Sequence, residues 1–244
     1  MNNKMASFLL GATLALGFAL SAYMVSTAMI KMRQENIIKV KGYAEKQIKA
    51  DTGTWTGYMT VRAAVLSDAY KDMDANRVKV RDLIEKIGFN NETKIDYQPV
   101  SIETDYKLNE KGNRTNDIAG YILSQTIQIS SHQIELIEKV SKDSSDLIRD
   151  GIEFRSYSPV YTFSTIEKIK LELLASATQN AYERARTLAE NSGGKAGKLV
   201  SASQGVFQIT PLNSTDVSDE GEYNTSTIDK MVKAVVTLEF NVEK

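Results

Sequence analysis

The sequence predicts an α+β fold: antiparallel or mixed β-sheet layers packed against helices, in the order β-β-α-β-β-α-β-α-β-β, preceded by one N-terminal transmembrane or signal helix. Three observations predict it. Several segments alternate apolar and polar residues with period two, as strands with one buried face do. Three segments between them carry apolar residues at helical spacing. Finally, Met5 to Ile30 is an uninterrupted uncharged stretch. Paired strands between helices indicate α+β layers rather than a regular βαβ fold.

The N-terminal stretch comes first. As a helix, its roughly 26 residues would be about 39 Å long, against roughly 30 Å for the hydrocarbon core of a bilayer. A helix buried in a soluble core would normally carry a polar face, and this one has none. Phe8 to Leu20 is a compact apolar core, and the small residues Ala19 and Ser21 have the spacing a signal-peptidase site needs. Apolar residues nevertheless continue through Met24, Val25, Met29 and Ile30. Residues 1–33 therefore read as an uncleaved signal-anchor, or alternatively as a cleaved signal peptide. Lys4 and the α-amine precede the stretch, and Lys31 and Arg33 follow it. That balance slightly favours a cytoplasmic C-terminal side.

Residues 34–244 form the folded domain. Ile37–Ala44 is a strand candidate. In the next, Trp55–Ala63, the residues Trp55, Met59 and Val61 share one face. The helix Ala69–Ile87 buries Ala69, Met73, Val80, Leu83, Ile84 and Ile87, and Gly88 follows as its stop. In Tyr121–Ser130, Tyr121, Leu123, Ile127 and Ile129 oppose Ser124, Thr126, Gln128 and Ser130. A helix over Ile134–Ile148 turns Ile137, Val140 and Leu147 inward. Ile152–Phe163 reads as a strand split near Pro159, which cannot donate to a sheet ladder. Thr165–Asn191 is the longest helix, with a capping-box pattern at Ser164 and Glu167 and a stop at Gly193-Gly194. Polar, acidic Asn213–Thr227 reads as a long mobile loop before the last strand, Val232–Val242. A division into two lobes would fall near Ser131, although no Pro- or Gly-rich linker marks it.

The chain has 244 residues, of which about 210 follow the apolar segment, enough for one large domain or two small ones. Hydrophobic residues are 42% and charged residues 25%, as in a folded globular protein. The net charge of −1 supplies no field to attract nucleic acid, so no nucleic-acid partner is expected. There is no cysteine. Disulfides, thiolate metal sites and cysteine nucleophiles are thereby excluded, and the chain suits an oxidising compartment.

Candidate chemistry is sparse. His132 is the only histidine, without a partner pattern for a metal or a relay, and reads as a polar residue between a strand and a helix. Gly193-Gly194-Lys195-Ala196-Gly197-Lys198 fails as a phosphate loop. Ser192 stands where the first glycine belongs, Leu199 follows the lysine, and the segment ends a helix instead of starting one. Neither a Gly-x-Ser-x-Gly elbow nor a His-Glu-x-x-His helix occurs. Asn91, Asn113, Asn213 and Asn224 begin glycosylation triplets that matter only in a glycosylating host. No catalytic, cofactor-binding or metal residue is nominated, and no cofactor is expected. Ala177, Ala181, Ala185 and Ala189 recur every four residues, which allows close packing either in the core or between subunits. Leu174 and Leu188 widen the stripe, which favours the core.

Several local patterns resemble the SIMPL-domain family of envelope proteins. Val40-Lys41-Gly42-Tyr43-Ala44-Glu45 is similar to the family's V-x-G-x-(G/A)-E turn, and Ala50-Asp51 stands where Pro-Asp is usual. Ile87-Gly88 ends a helix, and Gly120-Tyr121 opens a strand. Ala177, Ala181, Ala185, Leu188 and Ala189 run into Gly194 and Gly197-Lys198-Leu199-Val200, like the family's helix signature, with Arg184 where lysine is common. The resemblance covers about residues 37–243. It implies an extracytoplasmic, self-associating α+β domain in proteins linked to envelope or oxidative-stress phenotypes, and it carries no established catalytic residue.

The expected function is that of a membrane-anchored envelope protein. Residues 5–30 would sit in the cytoplasmic membrane as a single pass, with the domain outside; the alternative is a soluble periplasmic or secreted form after cleavage. The domain would act as a non-enzymatic oligomeric scaffold or binding module. One alternative is a carrier or sensor of a small apolar ligand, lined by Trp55, Tyr58, Tyr121, Tyr157 and Phe163; another is an unrecognised hydrolase.

Overall fold

A computed structural model describes residues 3–33, 37–215 and 218–243. In chain order the elements are α1 (Asn3–Arg33), β1 (Ile37–Lys49), β2 (Thr52–Ala63), α2 (Leu66–Ile87), β3 (Lys94–Tyr97), β4 (Ser101–Leu108) and β5 (Arg114–Ser131). They continue as α3 (Ile134–Asp143), α4 (Ser145–Arg149), β6 (Glu153–Ser156), β7 (Val160–Thr162) and α5 (Ile166–Asn191). The last strands are β8 (Lys195–Gln204), β9 (Gln208–Pro211), β10 (Glu222–Tyr223) and β11 (Asp229–Glu243). The fold is α+β with mixed sheets.

Contacts group the chain into two compact units. The first takes residues through Ala44, Glu172–Val206 and Ala234 onward; the second takes Glu45–Leu171 and Phe207–Lys233. Ser131, where the sequence suggested a cut, lies inside the second unit.

In the second unit, β2 pairs antiparallel with β5 along Gly53–Ala63. The alternation read from the sequence is the burial observed: Trp55, Met59, Leu123, Ile127 and Ile129 are fully buried. α2, α3 and α4 supply Met73, Val80, Ile84, Ile137, Val140 and Leu147 to the same core. α2 ends as expected, with Gly88 left-handed at φ 84°, a conformation that costs glycine little.

The order of elements departs from expectation, for local reasons. The outer strands on both sides of β2–β5 are broken. β3 and β4 lie end to end along β5, with Pro99 between them; β6 and β7 lie end to end along β2, with Pro159 between them. Proline has no N–H to give a ladder. At the Pro99 gap the side chain of Gln125 substitutes, donating to the Gln98 carbonyl at 2.6 Å. The single helix expected over 134–148 is two, parted at Ser144. Hydroxyls of Ser144 and Ser156 donate to the Ser141 carbonyl, and Ser145 donates to that of Lys142. Such side-chain bonds compete with the helical ladder. Asn213–Thr227 is also not wholly loop. It holds β10, parallel to β9, and is tied by Asn224, whose Oδ1 accepts from the Thr227 N–H and hydroxyl. Residues 216 and 217 of it lie outside the described residues.

In the first unit, β11 is flanked by β1 and β8. α5 packs its alanine row inward: Ala177, Ala181, Ala185 and Ala189 are fully buried, so the core reading of that row holds. Leu188 does not join it and is 51% exposed. The described side chains of α1 are exposed, among them Phe8, Leu14, Leu16, Phe18 and Leu20. Among the described residues, no helix is long and apolar enough to cross a membrane.

Candidate functional site

The most built feature of the first unit lies where β1 crosses α5. Val40 and Gly42 point inward by the period-two rule, and both are buried. Gly42 meets the helix with no room to spare: a Cβ there would lie 2.0 Å from the Ala177 carbonyl oxygen and 2.7 Å from the Ala181 Cβ. A side chain on one partner, or a larger one on the other, would push the strand off the helix. The glycine and the alanine row are therefore one device.

The close approach brings polar side chains of α5 to the backbone of β1. Asn180 Oδ1 accepts the Tyr43 N–H at 3.1 Å. Arg184 Nη1 donates to the Lys41 carbonyl at 3.0 Å. These two groups face away from β11, on a side where β1 has no strand neighbour among the described residues. A groove of about 580 Å³ opens there. Lys39, Val40 and Lys41 form its strand wall; Asn180, Glu183, Arg184, Thr187 and Leu188 form its helix wall. Lys39 pairs with Glu239 at 2.9 Å. Among the described residues, Lys41 and Arg184 meet no carboxylate within ion-pair reach, and with Glu183 as its one acid, which accepts from Gln179, the lining keeps a positive excess.

The second unit holds a different cluster, around Asp51. Its Oδ1 accepts the Ser164 N–H at 2.8 Å and the Thr52 hydroxyl at 3.0 Å, and its Oδ2 accepts the Ser164 hydroxyl at 2.6 Å. Burial alone would raise the Asp51 carboxyl. The Ser164 and Thr52 hydrogen bonds and the nearby His132 outweigh it and hold the group below its ordinary range. His132 Nδ1 lies 2.6 Å from the Asp51 carbonyl oxygen. A serine-histidine-aspartate relay needs the imidazole on the serine oxygen. Here the serine hydroxyl donates a hydrogen bond to the carboxylate, and the histidine Nδ1 faces the Asp51 backbone carbonyl. The capping box expected at Ser164 is likewise replaced, because its hydroxyl goes to Asp51.

These motif residues, Val40 to Glu45, Asp51 and the Ala177–Ala189 row, lie in a segment matched by one family model. The SIMPL model, described as a protein of unknown function (DUF541), matches residues 38–240. The chain belongs to the SIMPL family. No curated protein matches it. Among solved structures it is similar to an amidase of the hydantoinase/carbamoylase family from Burkholderia phymatum. The identity is 10% and the TM-score 0.31, over 53% of this chain and 34% of that one. A second amidase of that family, from Burkholderia ambifaria, gives 9% identity and a TM-score of 0.28, over 48% of this chain and 29% of that one. An uncharacterised conserved protein from Listeria innocua gives 10% and 0.22, over 79% of this chain and 91% of that one. The chain spans about a third of the length of the amidases, and at such TM-scores no activity carries over.

Within the SIMPL domain the remaining residues singled out from the sequence scatter. Trp55 is core, with Phe154 stacked on it at 6.0 Å. Tyr121 packs against the same core, Tyr58 lies on the opposite face of β2, and Tyr157 is 45% exposed. The five aromatics do not line one cavity. Gly193, at φ 79°, follows α5, and Lys198 lies on β8, so the segment leads from a helix into a strand and opens no helix. Among the described residues, no group of His, Cys, Asp and Glu could hold a metal ion. The groove itself was not nominated from sequence. Its residues Lys41 and Arg184 were legible only as neighbours of small motif residues, and nothing in their spacing says that they converge.

Proposed function

We propose that this SIMPL protein is a non-enzymatic, self-associating scaffold or binding module of the cell envelope. Residues 5–30 would hold it in the cytoplasmic membrane, with the domain outside. One observation carries the self-association. Between Asp105 and Gly120, β4 and β5 pair only with each other among the described residues, because β2 stops at Ala63 opposite Tyr121. Leu108 is 66% and Ile118 50% exposed on this arm. A two-stranded ribbon is marginal alone in water, and a partner copy would cover it. The exposed apolar side chains of α1 support the membrane reading, since lipid is the solvent in which they cost least. The Asp51 cluster supports a non-enzymatic reading, because its serine hydroxyl is engaged by the Asp51 carboxylate and its histidine Nδ1 by the Asp51 carbonyl.

Crosslinking and light scattering of the full chain in mild detergent test the scaffold. We expect an oligomer that Leu108→Asp with Ile118→Asp dissociates. A monomer at high protein concentration overturns it. Membrane fractionation with intact-mass measurement tests the anchor: recovery of the whole chain in the soluble fraction would refute it.

A further inference from the structure

We infer that the groove between β1 and α5 binds an extended acidic peptide, added as a strand to the open edge of β1. The inference rests on the binding-module reading and names the class of partner. Among the described residues, β1 has β11 on one side only. Tyr43 N–H and Lys41 C=O point from its other edge to Asn180 and Arg184. Backbone groups of alternate residues in an antiparallel strand face the same side, so the N–H and C=O of Lys39 point into the same groove. Strand addition uses such a row of groups for affinity and a neighbouring wall for specificity. Here α5 is that wall, and Leu188 gives it an apolar contact at 51% exposure.

The present caps are exchangeable. Asn180 occupies one donor as a side-chain acceptor, and Arg184 occupies one acceptor as a side-chain donor. A peptide backbone can replace both, and a released Arg184 is then placed to fork onto a carboxylate. Charge decides the occupant. Lys41 and Arg184 form no ion pair among the described residues, and the lining sets Lys39, Lys41 and Arg184 against the one acid Glu183, so an Asp or Glu side chain on the added strand is favoured. A second copy of β1 is disfavoured, because antiparallel pairing would set lysines across from lysines.

The test screens an array of immobilised heptapeptides with the full chain in detergent. Enrichment of sequences with Asp or Glu alternating with apolar residues is expected. Binding of the best heptapeptide should weaken about tenfold in Arg184→Glu and in Lys41→Glu, the cost of a charge-assisted hydrogen bond. N-methylation of the alternate peptide nitrogens that face β1 should abolish it, while methylation of the other set should be tolerated, since strand addition to one edge uses only one set of donors. Circular dichroism of both variants confirms folding. Peptides that keep their affinity for both variants, or keep it after N-methylation of each alternate set in turn, overturn this inference while leaving a binding module in place. An array with no enrichment also overturns it, and the light-scattering result then judges the scaffold alone.

Discussion

Gly42 lies so close to Ala181 that a Cβ on the glycine would come within 2.7 Å of the alanine Cβ. The nearest atom, the Ala177 carbonyl oxygen, belongs to a helix backbone and cannot rotate away. Gly42→Ala should therefore cost roughly 1–3 kcal/mol, in the range of overpacked cores. Urea denaturation followed by far-ultraviolet circular dichroism measures it. An unchanged midpoint would mean that strand and helix separate without penalty.

Trp55 is fully buried, and its Nε1–H donates to Ser156 Oγ at 2.9 Å. Ser156 in turn donates to the Ser141 carbonyl at 3.1 Å. Ser156→Ala strands the indole N–H inside the core and should destabilise by roughly 1–3 kcal/mol. Trp55 is the only tryptophan, so its fluorescence reports the unfolding directly. Stability equal to the parent protein would contradict the relay.

The depressed Asp51 carboxyl makes a statement about acid. Its stabilising bonds are fully present above the unfolded carboxylate value, about 3.9. They are lost as pH falls through the lower folded value. Stability should decline on acidification below about pH 4, and Asp51→Asn should flatten that decline while costing roughly 1 kcal/mol near neutrality. Denaturation midpoints across an acid series decide it: parallel curves for the two proteins would remove Asp51 from the account.

Lys230 is 1% exposed, and its ammonium reaches Asn224 Oδ1 and the Thr227 carbonyl. Burial lowers its pKa, so the folded chain binds fewer protons than the unfolded one between the two values. Stability is then greatest above the unfolded lysine value, about 10.4, and falls as pH descends through the folded one. The parent protein should gain stability as pH is raised toward about 10, and Lys230→Met should lose that gain. Identical alkaline slopes in the two proteins would argue against a desolvated amine.

Much of the fold was legible. Trp55, Met59 and Val61 on β2, and Val232 to Phe240 on β11, show their buried face in the alternation itself, because side-chain direction along a strand is a local property. Gly88 and Gly193 end their helices where the sequence places the stops. Gln125 was not legible. It stands on the buried face of β5 as a gap in the apolar pattern, and its purpose is visible only when Pro99 and Arg77 arrive beside it; Arg77 Nε donates to it at 2.7 Å. Lys230 is similar: a lysine in the strand pattern whose burial depends on a loop folding over it.

From the sequence alone came the fold class, the positions of the main helices and strands, the family resemblance and the lack of thiol chemistry. Each follows from composition or from the period of a single segment. The tertiary structure decided that Gly42 faces the alanine row, that Asp51 clamps Ser164, and that Lys41 and Arg184 share one groove. Those pairs lie more than a hundred residues apart in the chain, and only the packing of strand against strand or helix brings them together.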